Sequence, residues 1–203
     1  MSPDWNAIRL DLLGIDEPVR ASLREMRPFF AKVLPGILVR FYDKVRQYDP
    51  SCGILREDAM QDAIRMQLQH WNLIGGGEFG LAYISSIARF CELNQRAGVA
   101  PQWYIGCRLM FVADQLIRAV ETEVEVPNDE TAAQAARDKK AAMVKAIAKA
   151  NMLDTEYMVA HCLGASRAAG KDAIADAGDR LRASIPSLVS ASNDLERTGR
   201  AVA

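Results

Sequence analysis

The side chains of this sequence that could bind a metal or act as nucleophiles are few and widely separated. The two histidines and four cysteines are His70, His161, Cys52, Cys91, Cys107 and Cys162. No cysteine pair has the CxxC spacing of a zinc or redox motif, and a zinc site would need more closely clustered ligands than these scattered residues provide. Scattered cysteines are typical of reduced, packed thiols. We therefore expect no zinc site and no disulfide framework.

The sequence also lacks the motifs of common enzyme sites. Gly75-Gly76-Gly77 is not followed by the Lys-Ser/Thr pair of a phosphate-binding loop, so it predicts the end of a helix. Glu121 and Glu125 stand one helical turn apart, and we interpret them as a solvated acidic helix end. No HExxH motif and no nucleophile motif occurs. We do not expect this chain to be an enzyme.

Composition favours a soluble globular protein. The 203 residues are 50% hydrophobic and carry a net charge of −1. The basic stripe of a nucleic-acid-binding surface is missing, and no apolar run approaches the ~20 residues of a membrane span. Asp4 and Asp11 stand where a signal peptide would be basic and then apolar. We expect a cytoplasmic protein that binds neither nucleic acid nor membrane.

The elements that must position these residues are helices throughout. Apolar residues recur at helical spacing, and no segment has the period-two alternation of a strand. Pro28 should break or kink the first helix, Pro35-Gly36 should end it, and Asn128 should cap the last one, with Asp129 in its first turn. The predicted helices span residues 18–33, 37–48, 58–74, 79–97, 101–126 and 128–166.

The C-terminal tail has a different pattern. Ile174, Leu181, Leu188, Leu195 and Val202 recur at every seventh residue, with small residues three positions after the first four. This seam predicts a helix in a coiled coil or long bundle, interrupted near the proline at position 186. The alternative is an amphipathic helix packed back on the globule. We expect a globular domain at 1–168 and a linker helix at 169–203 that continues into a further module.

The turn at residues 97–101 carries the most informative pattern. Gly98 suits a left-handed helix cap, and Pro101 suits the first turn of a new helix that brings in Trp103 and Tyr104. With Arg96 these residues form the string RxGxxPxWY. The string resembles the junction of the globin-coupled sensor family that carries the proximal haem histidine. Over about residues 19–162 the resemblance implies an all-α, globin-like helical fold with a C-terminal, coiled-coil-like helical extension.

The resemblance also implies which residues would surround a bound haem b. Tyr42 is implied to be the distal tyrosine, whose hydroxyl donates a hydrogen bond to bound dioxygen in this family. Ala63 and Met66 would face the same distal cavity. Trp103 and Tyr104 would line the proximal side, on the helix that forms the dimer contact.

The departure from the family pattern is Asn94, which stands at the position of the proximal histidine. Haem iron needs a strong axial donor, and an amide is a poor one. Haem binding is therefore expected to be weak or absent unless another side chain replaces the histidine. The candidate substitutes are Cys91, three residues earlier in the helix, His161 on the last globin helix and His70 on the distal helix.

Three functions remain open from the sequence. The first is a sensory domain that binds a small ligand in its globin pocket and relays it to a chemotaxis signalling bundle. The relay would run through a homodimer built from the Trp-Tyr helix, the last globin helix and the tail. The second is a haem-based sensor of dioxygen or another gas that uses a substitute proximal ligand. The third is a structural dimerisation module without a ligand.

Overall fold

The computed structural model describes residues 4–49, 52–100, 102–162, 164, 171 and 179. The chain divides into two compact units, Met1–His161 and Cys162–Ala203. Over the described residues all regular structure is helical and no strand occurs, so the all-α prediction is confirmed. No helix in this described part is both long and apolar enough to cross a membrane. Pro101 and the seven-residue seam of the tail lie outside the described residues and stay predictions.

Helices follow one another along the first unit with short connections. A 3₁₀ turn at Gly53–Leu55 precedes the fourth helix, and a π-helical turn at Gln102–Cys107 precedes the sixth. The α-helices are α1 (Trp5–Leu12), α2 (Glu17–Glu25), α3 (Arg27–Tyr48), α4 (Glu57–Ile74), α5 (Leu81–Arg96), α6 (Arg108–Glu123) and α7 (residues 130–161).

Of the prolines near the start of the chain, Pro28 lies at a helix break as predicted, whereas Pro35 does not end a helix. The chain leaves helical hydrogen bonding at Met26, so Pro28 lies in the first turn of α3, where its missing N–H is not needed. Pro35-Gly36 was expected to end a helix, but α3 continues through it to Tyr48. Packing overrides the proline, because buried apolar residues on either side of it form one continuous face. These residues are Phe30, Leu34, Ile37, Leu38 and Phe41.

Aspartate side chains begin three of the helices. Asp4, Asp16 and Asp129 each accept a hydrogen bond from a backbone N–H in the first turn of α1, α2 and α7, respectively. The prediction that Asn128 caps the last helix is therefore wrong by one residue. A carboxylate is favoured at this position, because it also interacts with the positive end of the helix dipole.

The core that positions the candidate site lies where α3 to α6 pack together. α4 contacts both α3 and α5, and α3 also contacts α6. Trp71, Tyr83 and Arg108 are the three bulkiest side chains that are almost completely buried. Because Arg108 belongs to that set, this core is not purely apolar. The buried charge of Arg108 needs partners from neighbouring helices.

Gly14, Gly77 and Gly98 end helices in the left-handed conformation, and the last two offer a test of the fold. Gly77 and Gly98 both have φ near 70°. A Cβ at residue 77 would lie 3.1 Å from the carbonyl oxygen of Arg20, whereas a Cβ at residue 98 would meet nothing within 4 Å. We expect Gly98→Ala to lower the free energy of unfolding by ~1–2 kcal/mol through backbone strain alone. Gly77→Ala should cost distinctly more in urea unfolding, and equal losses would contradict this packing.

Candidate functional site

A buried arginine, Arg108, links four helices at the centre of the first unit. Its residue is 1% exposed at the start of α6. The guanidinium stacks over the ring of Phe90 on α5, with its carbon 4.6 Å from the ring centroid. Its nitrogens donate to the Gln67 side-chain oxygen on α4 at 3.2 Å, the Tyr104 carbonyl at 3.1 Å and the Met158 sulfur on α7 at 3.2 Å. One cation thus connects α4, α5, α6 and α7.

Gln67 extends this connection to α3. Its Nε2 donates to the hydroxyl oxygen of Tyr42 at 2.8 Å, while its Oε1 accepts from Arg108. Burial raises the pKa of Tyr42 above its ordinary value, despite the nearby Arg108 charge. Tyr42 is therefore a neutral hydroxyl held by a glutamine amide, and the amide in turn is oriented by a guanidinium.

A second buried cluster surrounds His70 on α4. Its Nδ1 lies 2.6 Å from Ser86 Oγ, and its Nε2 lies 2.9 Å from Asp154 Oδ1. The Ser86 hydroxyl donates to the carbonyl of Tyr83 at 2.6 Å, and the Tyr83 hydroxyl donates to Asp154 at 2.5 Å. Because Ser86 has a single hydrogen and uses it on that carbonyl, its oxygen accepts from His70. Both ring nitrogens of His70 therefore have buried hydrogen-bond partners.

Asp154 joins the two clusters into one charged network. It lies on α7 and is fully buried. Burial alone would raise the pKa of Asp154, but the attraction of His70 and Arg108 and the hydrogen bond from Tyr83 hold it below its ordinary value. Burial lowers the pKa of Arg108, and the charge of Asp154 opposes that shift. Asp154 is thus the anion that compensates the buried Arg108 cation of α6 and binds His70 of α4.

A small cavity lies beside this network. Tyr42, Asn94, Trp103 and Tyr104 line it, together with Arg108. Its volume is about 10 Å³, enough for roughly one water molecule. Asn94 is 2% exposed, and its Nδ2 donates to the carbonyl of Phe90 at 2.8 Å within α5. The structure thus brings together four of the residues that the sequence assigned to cofactor binding.

The other candidate residues lie elsewhere. Ala63 is buried and Met66 half-buried on α4, and neither is among the described residues that line the cavity. Cys91 is buried and interacts electrostatically with Arg108, so its cationic neighbour is on α6. His161 is half-buried near the end of α7 and also lies outside the described cavity lining. The three candidate substitute ligands are therefore not gathered around one point.

A haem does not fit this arrangement of residues. The resemblance places haem between Tyr42 and Asn94, but the space there is about 10 Å³, whereas cofactor pockets measure ~300–1,000 Å³. The guanidinium of Arg108 reaches across this space to α4. The available donors are also engaged, since the Asn94 amide binds its own helix and both His70 nitrogens have partners. Among the described residues, no group of three or more metal-ligating His, Cys, Asp or Glu side chains occurs.

The helix order and the cavity between α3, α5 and the start of α6 agree with a globin-type helical domain. Residues 7–167 match the Protoglobin family, and the chain belongs to that family. It is also similar to the heme-based aerotactic transducer HemAT of Halobacterium salinarum, with 24% identity over 131 residues. The match covers 64% of this chain and 27% of that relative. The resemblance to globin-coupled sensors and the globin-like fold are thereby confirmed, and the chain spans about a quarter of the relative's length.

Sequence reasoning missed the polar residues that hold the site together. Gln67, Arg108 and Asp154 each interrupt a helical stripe of apolar residues, and a polar residue on such a stripe is the available signal of a buried network. The partners could not be paired from the sequence, because they lie on different helices. The stripe around Arg108, for example, consists of Leu109, Val112, Leu116 and Val120.

Asp154→Asn tests the shared anion while nearly preserving side-chain size. We expect the variant to lose about 3–5 kcal/mol of unfolding free energy at pH 7, because the buried Arg108 cation loses its counter-charge. The folded-state pKa of Asp154 lies below the ordinary value. Its contribution is therefore fully present above the unfolded-state pKa of about 3.9 and is lost as pH falls through the folded-state pKa.

The measurement is urea unfolding from neutral to acidic pH. Asp154→Asn should flatten the acidic decline in stability relative to the unmodified protein. Asp114→Asn is the control, because Asp114 makes an exposed pair with Arg118 on α6. Equal effects of the two substitutions would show that the Asp154 network is not what stabilises the core.

Proposed function

We propose that this protein is a cytoplasmic, haemless sensory globin that responds to a small ligand and signals through a homodimer to a chemotaxis-type output. The Arg108–Gln67–Tyr42 connection carries the proposal, because it occupies the space between the distal and proximal positions of the family. Membership of the protoglobin family and similarity to an aerotactic transducer support a signalling role.

In this proposal the ligand enters the cavity beside Arg108 and competes for its hydrogen bonds. A small polar molecule with an acceptor atom replaces Gln67 as a partner of the guanidinium. Because Arg108 also holds α5 and α7, a change in its contacts shifts the balance between two packings of these helices. Signal transfer then needs no iron chemistry, only a ligand that binds one packing better than the other.

The proposed output path runs through α6, α7 and the tail. Met110 on α6 and Met152 on α7 are 74% and 57% exposed, and Val159 lies further along α7 at 39%. Large apolar side chains on the outer faces of these helices support a contact with a second copy of the chain. The seven-residue seam of the tail would continue this contact toward a signalling bundle.

Haem uptake tests the haemless reading. We expect the unmodified protein to show no stoichiometric Soret band after addition of hemin. Asn94→His should take up haem partially, because it supplies an imidazole but leaves the guanidinium in place. The double variant Asn94→His/Arg108→Met should take up more haem, because the guanidinium no longer fills the cavity between Tyr42 and residue 94. Absorption spectroscopy, with circular dichroism as a check of folding, gives the readout.

Gln95→His is the matched control for haem uptake, because it adds a histidine at the adjacent, exposed position. It should bind no more haem than the unmodified protein. A stoichiometric Soret band in the unmodified protein would overturn the proposal. It would instead support a gas sensor with a substitute ligand, and Cys91, His161 and His70 would then be the residues to replace.

Assembly tests the proposed output path. We expect a dimer by analytical ultracentrifugation, and Leu188→Lys should dissociate it because a lysine enters the apolar seam. Val189→Lys makes the same kind of change one residue off the seam and should leave the dimer intact. A monomeric unmodified protein, or equal effects of both lysines, would contradict a signalling path through the tail.

A further inference from the structure

A surface groove between α3 and α4 has the form of a ligand site, and it is separate from the cavity beside Arg108. Its volume is about 610 Å³, within the ~300–1,000 Å³ range of small-molecule pockets. We call it the Trp71 groove. Its lining residues are Arg24, Arg27, Pro28, Phe30, Ala31, Leu34, Pro35, Leu68, Trp71 and Asn72.

The floor of the Trp71 groove is apolar and firmly packed. Phe30, Leu34 and Trp71 are each at most 2% exposed. The rings of Phe30 and Trp71 are in tilted contact, with centroids 5.2 Å apart. Such a floor is preformed, so a ligand that lies on it does not have to order these side chains.

One wall of the groove is made of short side chains. Pro28, Ala31 and Pro35 follow one another at helical spacing on the exposed side of α3. These three residues are exposed and Leu68 of α4 is half-buried, so they form the apolar surface that a ligand in the groove can reach. From Arg27 to Pro35 the helix rises about 12 Å at ~1.5 Å per residue, which suits an extended medium-length hydrocarbon chain.

The charges of the groove are all positive and lie at one end. Arg24 and Arg27 are its only ionisable lining residues. Arg24 pairs with exposed Glu17, whereas Arg27 donates through Nε to the Asn72 side-chain oxygen at 2.8 Å. Among the described residues, no carboxylate lies within ion-pair distance of Arg27. The two terminal nitrogens of its guanidinium therefore suit a carboxylate bound side by side.

A second large groove provides an internal contrast. It lies beside α2 and between the end of α6 and α7, with a volume of about 850 Å³. Glu25, Glu123, Glu125 and Asp138 line it, against a single lysine. A further groove between α3 and α6, of about 410 Å³, is lined by Lys32, Arg40 and Arg118 together with Glu123. The Trp71 groove differs from both of these grooves because its lining contains arginines and no carboxylate.

We propose that the Trp71 groove binds an apolar carboxylate, such as a medium-chain fatty acid. The carboxylate lies on Arg27 beside Asn72, and the hydrocarbon lies along the exposed side chains of Ala31 and Pro35, above the packed base of the groove. The site is independent of the haemless sensory function proposed above, because it shares no lining residue with the cavity beside Arg108.

Isothermal titration calorimetry with the full chain tests this site, using decanoate below its micellar concentration as the probe. We expect saturable binding at one site. Decanol and decyltrimethylammonium should bind at least about tenfold more weakly, because the first lacks the charge and the second reverses it. Equal binding of all three probes would overturn the proposal. It would also be overturned if the protein bound anionic phospholipid vesicles in the same measurement but did not bind free decanoate.

Two variants locate the site. Arg27→Gln should weaken decanoate binding by about tenfold or more, and Ala31→Leu should abolish it by filling the groove. Arg40→Gln is the matched control, because Arg40 is an exposed arginine of the same helix that faces Gln115 of α6. Native-like binding by both Arg27→Gln and Ala31→Leu would place decanoate elsewhere. Melting temperatures of all variants without ligand separate loss of binding from loss of folding.

Discussion

The buried carboxylate of Asp154 is the constraint on which the rest of the structure depends. Removing a carboxylate from water costs several kcal/mol unless cations and donors surround it. Here they come from three other helices: His70 from α4, Tyr83 from α5 and Arg108 from α6. Apolar contacts are non-directional, whereas these contacts have fixed lengths and directions. The network therefore fixes how the helices rotate and slide against one another more strictly than an apolar core would.

The same constraint explains why the globin pocket is closed. The charge of Asp154 attracts the Arg108 side chain into the core. The guanidinium there stacks over Phe90 and donates to Gln67. Gln67 in turn donates a hydrogen bond to the hydroxyl of Tyr42. The family resemblance implies that this hydroxyl would instead bind a ligand on the distal side. On the other side of the cavity, Asn94 satisfies a carbonyl of its own helix. The space between the two sides of the pocket is therefore occupied by Asn94, which hydrogen-bonds within α5, and by the guanidinium of Arg108, which balances the charge of Asp154.

The sequence predicted the helical class, the family and most helix ends, because those depend on local signals. Gly77 and Gly98 ended helices as expected, since few other residues tolerate their backbone conformation. The prediction failed at Pro35, where packing on both sides of the proline outweighs its local cost. It also missed the pairing of Arg108 with Asp154, because partners on different helices leave no local pattern. Tyr42 and Asn94, which the resemblance assigned to one pocket, line the same small cavity, but the sequence could not show that Arg108 lines it too.

The π-helical turn at Gln102–Cys107 is the local device that completes the cavity. A π-turn joins residues five apart by hydrogen bonds, so Trp103 and Arg108 come to the same side of the chain. In a regular α-helix, at 3.6 residues per turn, these two residues would point about 140° apart. Trp103 and Arg108 both line the cavity, and the Tyr104 carbonyl accepts from Arg108 within the same turn. The π-turn thus places Arg108 on the side of Trp103, whereas Tyr104, four residues before Arg108, would be its neighbour in a regular α-helix as well.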